Sequence, residues 1–230
     1  MLKTVRVPPP FEGLFEQAQA YVGRFFAERQ DCPEQARIEI FGQRYMLVRA
    51  RAMSVEFFEM IQRLYSDKGE AEAVSVARSL LFDIAHAMGL SDARDFAERM
   101  NLEDPIAKLS AGPIHFAHAG WARVEILDDS APTTDERYYL HYYHPNTFES
   151  EVLQRKGRRA SRPGCLFSAG YSAGWCSYAF NIEVHAREIQ CLACGDEHCE
   201  FVMAHASRLE ERAEEGLQKC RAARSSGPTG

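Results

Sequence analysis

The chain has 230 residues, 46% of them hydrophobic and 26% charged, with a formal net charge of -6. That is apolar material for one large or two small cores, and the acidic balance excludes a globally basic surface for nucleic acid. No run of about 20 apolar residues marks a membrane helix, and the N-terminus, MLKTVRVPPPFEG, lacks the apolar centre of a signal peptide, so a cytoplasmic protein without membrane contact is expected.

Residues 1–50 begin with an amphipathic run, FEGLFEQAQAYVGRFFAERQ. The hairpin pattern ARIEIFGQRYMLVRA follows, with Ile38, Ile40, Tyr45 and Leu47 alternating about a Gly42-Gln43 turn. Residues 54–109 read as helical. Ser54 is a cap without a capping box, because Phe57 stands where Glu or Gln would be needed. AEAVSVARSLLFDIAHAMG puts Val74, Ala77, Leu81, Ile84 and Met88 on one stripe and predicts an end at Gly89, with a new helix capped by Ser91. From 112 to 145 the pattern turns to strands, WARVEIL and RYYLHYYH, across the polar loop DDSAPTTDE. Residues 146–205 predict a helix, a Pro-Gly break, a small-residue helix (CLFSAGYSAGWCSYAF) and strands that carry a cysteine cluster. The mixed-charge tail from Ser207 predicts a helix that frays into disorder. There is no internal repeat. The fold class is α+β: an antiparallel sheet flanked by helices, with an N-terminal hairpin segment (1–50), a main domain (51–206) and a tail (207–230).

The cluster EIQCLACGDEHCEF, Glu188 to Phe201, carries the chemistry. Seven cysteines is an odd count, Cys32 and Cys220 lie far from the rest, and a reducing compartment disfavours a disulfide knot. Zinc takes thiolate, imidazole and carboxylate in a tetrahedral shell. Cys191, Cys194 and Cys199 are close enough to share one ion, with Glu188, His198, Cys165, Cys176, His185 and His205 as completers. If 188–192 is a strand, Glu188 and Cys191 lie on opposite faces, so a site using both needs a bulge or a strand end between them. The Gly195-Asp196 turn would return Cys199 towards Cys191 and leave Cys194 beside the turn. The alternatives are three cysteines packed as small apolar groups, or a CxxC redox pair, which lacks a preceding βαβ pattern.

PGCLFSAGYSAGWCSYAFNIEVHAREIQCLACGDEHCEFVMA, from Pro163, resembles the C-terminal half of a vinyl-reductase-type (4-vinyl reductase) sensor domain. That module is the effector-binding part of aromatic-responsive bacterial activators of the XylR/DmpR/MopR family. Cys165 before G-Y-S-A-G-W, Glu188, Cys191 and the G-D-E-H-C block ending at Cys199 carry the likeness. GQRYMLVRARAMSVEFFEMI, Ala77 to Leu81 and the Gly-Pro at Gly112 extend it over about residues 38 to 205. The resemblance implies a zinc held by Cys165, Glu188, Cys191 and Cys199. Four protein ligands leave no place for an activated water, so the metal is structural and braces the C-terminal half.

The resemblance also implies an effector cavity between helices and sheet, where a His and Trp pair grips a phenol hydroxyl. Aligned without gaps, the pair falls on Phe116 and His144; a one-residue slip would put His115 in the first place. Leu109, His118, Trp121, Ile126, Tyr142, Tyr171 and Trp175 supply a mainly aromatic lining. For any one of these, core packing is the competing account. The expected effector is a small aromatic or similarly flat apolar molecule with at most one hydrogen-bonding group. Imidazole at His144, titrating near neutrality, leaves an acidic substituent open.

Gly170, Ala173 and Gly174 predict a close helix approach. No phosphate loop, GxGxxG turn or DNA-reading helix–turn–helix is present. The chain is expected to be a sensory piece, not an enzyme and without direct nucleic-acid contact. Residues 1–50 are the candidate dimer surface, and the tail is a linker to an ATPase-activator, kinase or cyclase module. Two other readings of the same fold are a tetrapyrrole-acting vinyl reductase and a partner-binding scaffold.

Overall fold

The protein is described over residues 1–155, 157 and 159–225 of a computed structural model. The last five residues of the expected linker, 226–230, lie outside the described residues. A short strand, β1 (Val5–Arg6), precedes α1 (Glu12–Ala27), whose Phe15, Ala18, Val22 and Phe25 are buried at the spacing of one helical face. Three strands follow: β2 (Arg29–Cys32), β3 (Arg37–Ile40) and β4 (Gln43–Tyr45), paired antiparallel in that order. The turn sits at Phe41-Gly42, one residue before the expected place, because Ile40 pairs with Gln43 and both turn residues take positive φ (50° and 77°). β4 ends at Tyr45, so Leu47 is 75% exposed instead of continuing the alternation.

The helical middle differs from its sequence reading at three points. Ser54 is not a cap: it lies inside a helical segment, and its hydroxyl donates to the Ala50 carbonyl at 3.0 Å. This segment leads into α2 (Phe57–Leu64). Gly89 and Ser91 do not divide two helices, since α3 runs unbroken from Glu70 to Arg99. Gly89 is there for approach: a Cβ on it would lie 2.1 Å from the Tyr171 carbonyl oxygen. The buried stripe drifts accordingly, keeping Val74, Ala77 and Leu81 but passing to Ala85 and Ala93, while Ile84 and Met88 are 38% and 39% exposed. The third departure is α4 (Pro105–His118), which continues through 112–118 where strands were expected. Asp104 caps it by accepting from Ala107 N–H at 2.8 Å, and Pro105 starts the first turn.

The main sheet is completed by β5 (Val124–Ile126), β6 (Tyr139–His144), β7 (Val184–Gln190) and β8 (Cys199–His205). The strand order is β1-β5-β6-β8-β7; all pairs are antiparallel except the β1–β5 edge, which is parallel. Between β6 and β7 the chain forms α5 (Phe148–Gln154) and α6 (Leu166–Phe180), and it closes with α7 (Leu209–Ser225). α6 lies against α3 at glycine contacts: Cβ atoms on Gly170 and Gly174 would meet the Phe82 and His86 carbonyl oxygens at 2.3 and 2.0 Å. Among the described residues α3 is the one helix long and apolar enough to cross a membrane by length and composition. Here its apolar face is occupied by α6.

Candidate functional site

Two sites flank α6. The first is at its N-terminus. β7 ends at Gln190, and its pairing with β8 shifts register between Glu188 and Gln190, the irregularity that brings Glu188 and Cys191 to one side. The chain then turns at Gly195 (φ 86°), and β8 starts at Cys199. With Cys165 preceding the first turn of α6, the donor atoms of Cys165, Glu188, Cys191 and Cys199 all lie within 4.8 Å of one another. The three thiols are 0–1% exposed. Cys194, on the turn itself, is partly exposed and outside the quartet.

The chemistry of this quartet fits a metal ion. The Cys165 and Cys199 sulfurs are 3.7 Å apart, the edge of a tetrahedron whose metal–sulfur bonds are about 2.3 Å. Glu188 accepts the Cys165 N–H through Oε2 at 2.9 Å, while its buried Oε1 has no partner. Burial pushes the Cys165 thiol and the Glu188 carboxyl well up, whereas hydrogen bonds from Cys165 and Cys199 hold Cys191 far down as a thiolate. A cation among these groups would neutralise the charges that burial penalises. Outer contacts hold the donors: Thr147 Oγ1 lies 3.4 Å from Cys165 sulfur, Leu192 N–H donates to Cys199 sulfur, and Asp196 accepts the Cys191 N–H at 2.7 Å. Buried Glu149 accepts the Phe167 and Ser168 N–H groups at 2.9 Å, capping the start of α6.

The second site is a cavity enclosed by α4, α6 and the sheet. Of the residues expected there, Leu109, Phe116, Ile126, Tyr142, Tyr171 and Trp175 line it. Val124, Leu140 and Cys176 complete the apolar wall, with Gly112, Pro113 and Ser172; none of these six was singled out in the sequence. Gly112 could have been, since a Cβ there would strike the Trp175 ring at 2.8–2.9 Å. The Phe116 and Tyr171 rings stack at 5.0 Å and 12°, and Trp121 packs on both from outside the lining. The cavity volume is about 30 Å³, room for one or two waters and far less than an aromatic ring requires. A ring enters only if a wall side chain, Phe116 foremost, swings aside.

The histidines separate. His118 is exposed and stacks on Phe26, off the cavity. His115 is one helical step from Phe116 and so points elsewhere, towards Phe26 and Phe96. Its Nδ1 lies 2.8 Å from the Tyr171 hydroxyl, which donates to Asp92 at 2.8 Å. His144 is fully buried, 5.7 Å from the Phe116 ring and 5.2 Å from Tyr142, and neither of its ring nitrogens has a partner. Burial drives its pKa down to about 3, so it is a neutral imidazole and not the near-neutral titrating group the sequence suggested; an anionic substituent would find no cation here.

A family model for the vinyl-4-reductase domain matches residues 146–204, which contain the whole quartet. A second, described as activator of aromatic catabolism, matches residues 30–130. The chain is 28% identical over 127 residues to the phenol regulator MopR of Acinetobacter guillouiae, covering 55% of this chain and 22% of that protein. It is 25% identical over 132 residues to the transcriptional regulatory protein XylR of Pseudomonas putida, covering 56% and 23%. The matched part is thus under a quarter of the length of either relative. Both are regulators, which sets the vinyl-reductase reading aside. Among solved structures, the phenol-responsive sensory domain of the transcription activator PoxR with phenol superposes with a TM-score of 0.69 at 22% identity, over 88% of this chain and 96% of that one. The two share a fold.

Proposed function

Taking as premise that the chain belongs to the sensor-domain family of aromatic-responsive activators, we propose that it binds a small neutral aromatic effector in the α4–α6–sheet cavity and reports occupancy to an output module. The observation that carries this reading is an aromatic-lined cavity beside a buried imidazole with no partner. Unsatisfied polar groups in a core cost about 1–3 kcal/mol each, and such a cost is tolerable where a ligand supplies the missing bond. Zinc is the ion that suits three thiolates and a carboxylate, holding the start of α6 to β7 and β8 and so fixing one end of the cavity wall. Residues 51–206 would be the sensing unit, 207–230 the linker, and 1–50 the surface on which two copies pair in the cytoplasm.

Calorimetry and thermal melting with toluene, phenol, benzoate and an aliphatic alcohol test the reading. A neutral ring should bind and raise the melting temperature, and benzoate should not. Phe116→His, which puts a donor on the wall, should raise phenol affinity about tenfold. If no ring stabilises the chain, the cavity is ordinary core.

A further inference from the structure

Polar chemistry around the cavity is concentrated on one strand. Tyr142 and His144 are two residues apart on β6 and therefore share the face turned to the helices. They are 1% and 0% exposed. The Tyr142 hydroxyl makes no hydrogen bond of good geometry, Ser172 being its polar neighbour on α6, and His144 makes none at either nitrogen. Phe201 on β8 backs both rings, at 5.2 Å and 6° for Tyr142 and 4.6 Å and 45° for His144. The pair is thus held against a common wall. The other aromatic polar heads are engaged elsewhere: the Tyr171 hydroxyl with Asp92 and His115, the Trp175 indole with the Lys108 carbonyl at 2.9 Å.

We infer that Tyr142 and His144 form a two-point hydrogen-bonding clamp that selects neutral aromatic effectors carrying two adjacent polar atoms, an ortho-dihydroxy ring being the simplest. This rests on the aromatic-sensing reading above and narrows it. The sequence led to at most one hydrogen-bonding group because it weighed only Phe116 and His144; the Tyr142 hydroxyl adds a second. The two rings stand 5.2 Å apart, which is the scale on which two hydrogen bonds of about 2.8 Å diverge from neighbouring oxygens, to partners about 5 Å apart. A monohydroxy ring pairs with one member and seals the other in unpaired, so discrimination comes from the group left behind. Among the described residues no lysine or arginine lines the cavity, which matches a neutral ligand.

The test is titration calorimetry of catechol, phenol and toluene against the unmodified chain, Tyr142→Phe and His144→Phe. Catechol should bind the unmodified chain about tenfold more tightly than phenol. Each substitution should cut catechol affinity about tenfold, bring its ratio to phenol near one and leave toluene unchanged. A catechol-to-phenol ratio near one in the unmodified chain, or one unmoved by Tyr142→Phe, overturns the clamp. In those cases toluene and phenol still bind and the aromatic-sensing reading survives. If no ring binds the unmodified chain, toluene included, both readings fall together.

Discussion

His141 and His144 lie on the same strand, three residues apart, and face opposite sides of the sheet. On the outer face, under α7, His141 places Nδ1 at 2.9 Å from Asp129 and Nε2 at 2.7 Å from Glu200. Glu200 also meets His198 at 3.2 Å and the Cys220 thiol at 3.6 Å, and Lys219 lies 3.6 Å from Asp129. On the inner face, neither His144 nor Tyr142 makes a hydrogen bond of good geometry. One strand thus carries a polar network built for itself and a polar pair left incomplete. The first is what folding alone produces, because buried polar groups find partners. The second is what a binding site requires.

The largest effects should come from the metal quartet, which completes the inner side of the sheet at one end. Cys191→Ala or Cys199→Ala should give metal-free protein that precipitates or unfolds at ambient temperature, since binding free energy at such a site is folding free energy. Cys194→Ala should change stability by less than about 1 kcal/mol. Metal analysis of each purified variant checks this. Retention of metal by Cys165→Ala together with its loss from Cys194→Ala would replace the quartet by the local three-cysteine set.

The outer network comes next. Removing Glu200 leaves a largely buried imidazole facing one carboxylate instead of two. Glu200→Leu should therefore lower the unfolding free energy by about 2–3 kcal/mol in urea titrations. The signs of the pH dependence should also differ between the faces. Burial alone would depress His141, but Glu200 and Asp129 outweigh it and raise its pKa; burial holds His115 down to about 3. The His141 contribution is therefore complete below its unfolded pKa of about 6.5 and fades as pH rises through the folded value. The His115 contribution runs the other way, because the unfolded chain takes up a proton that the folded chain refuses as pH falls below about 6.5. His141→Gln should lose more stability at pH 6 than at pH 8. His115→Phe should remove about 2 kcal/mol of the decline between pH 7 and pH 5. Equal losses at both pH values for His141→Gln would mean the network holds no imidazolium.

The sequence revealed this contrast unevenly. Strand alternation put Tyr142 and His144 on one face, and the Cys/Glu spacing together with family resemblance named four residues that the fold brings together. What stayed hidden depended on tertiary partners. Gly89 looks like a helix end to any local rule, and only the Tyr171 carbonyl pressed against it explains why the helix continues. Gly112-Pro113 looks like a break, yet the helix passes through because Trp175 fills the space above Gly112 and binds the Lys108 carbonyl. Strands β1 and β2 are two and four residues long, too short to show a period. The partners of His141 come from a loop, a neighbouring strand and the C-terminal helix, and no spacing announces them.

The smallest effect bears most directly on the comparison. If His144 is kept unpaired for a ligand, then deleting its polar atoms should help the empty protein. His144→Phe replaces a buried, partnerless imidazole among Phe116, Tyr142 and Phe201 by a ring of similar size, so it should raise the unfolding free energy by about 1 kcal/mol without ligand. The same change at His141 should destabilise, because it strips the partners from two carboxylates. With a polar aromatic bound, the order reverses for residue 144: the variant gains less from the ligand than the unmodified chain does, and their melting curves converge or cross as ligand is added. Parallel melts over a ligand series measure this. A His144→Phe variant less stable than the parent in the absence of any ligand would mean that the imidazole is already satisfied in the folded protein, and the inner face would then be no different in kind from the outer one.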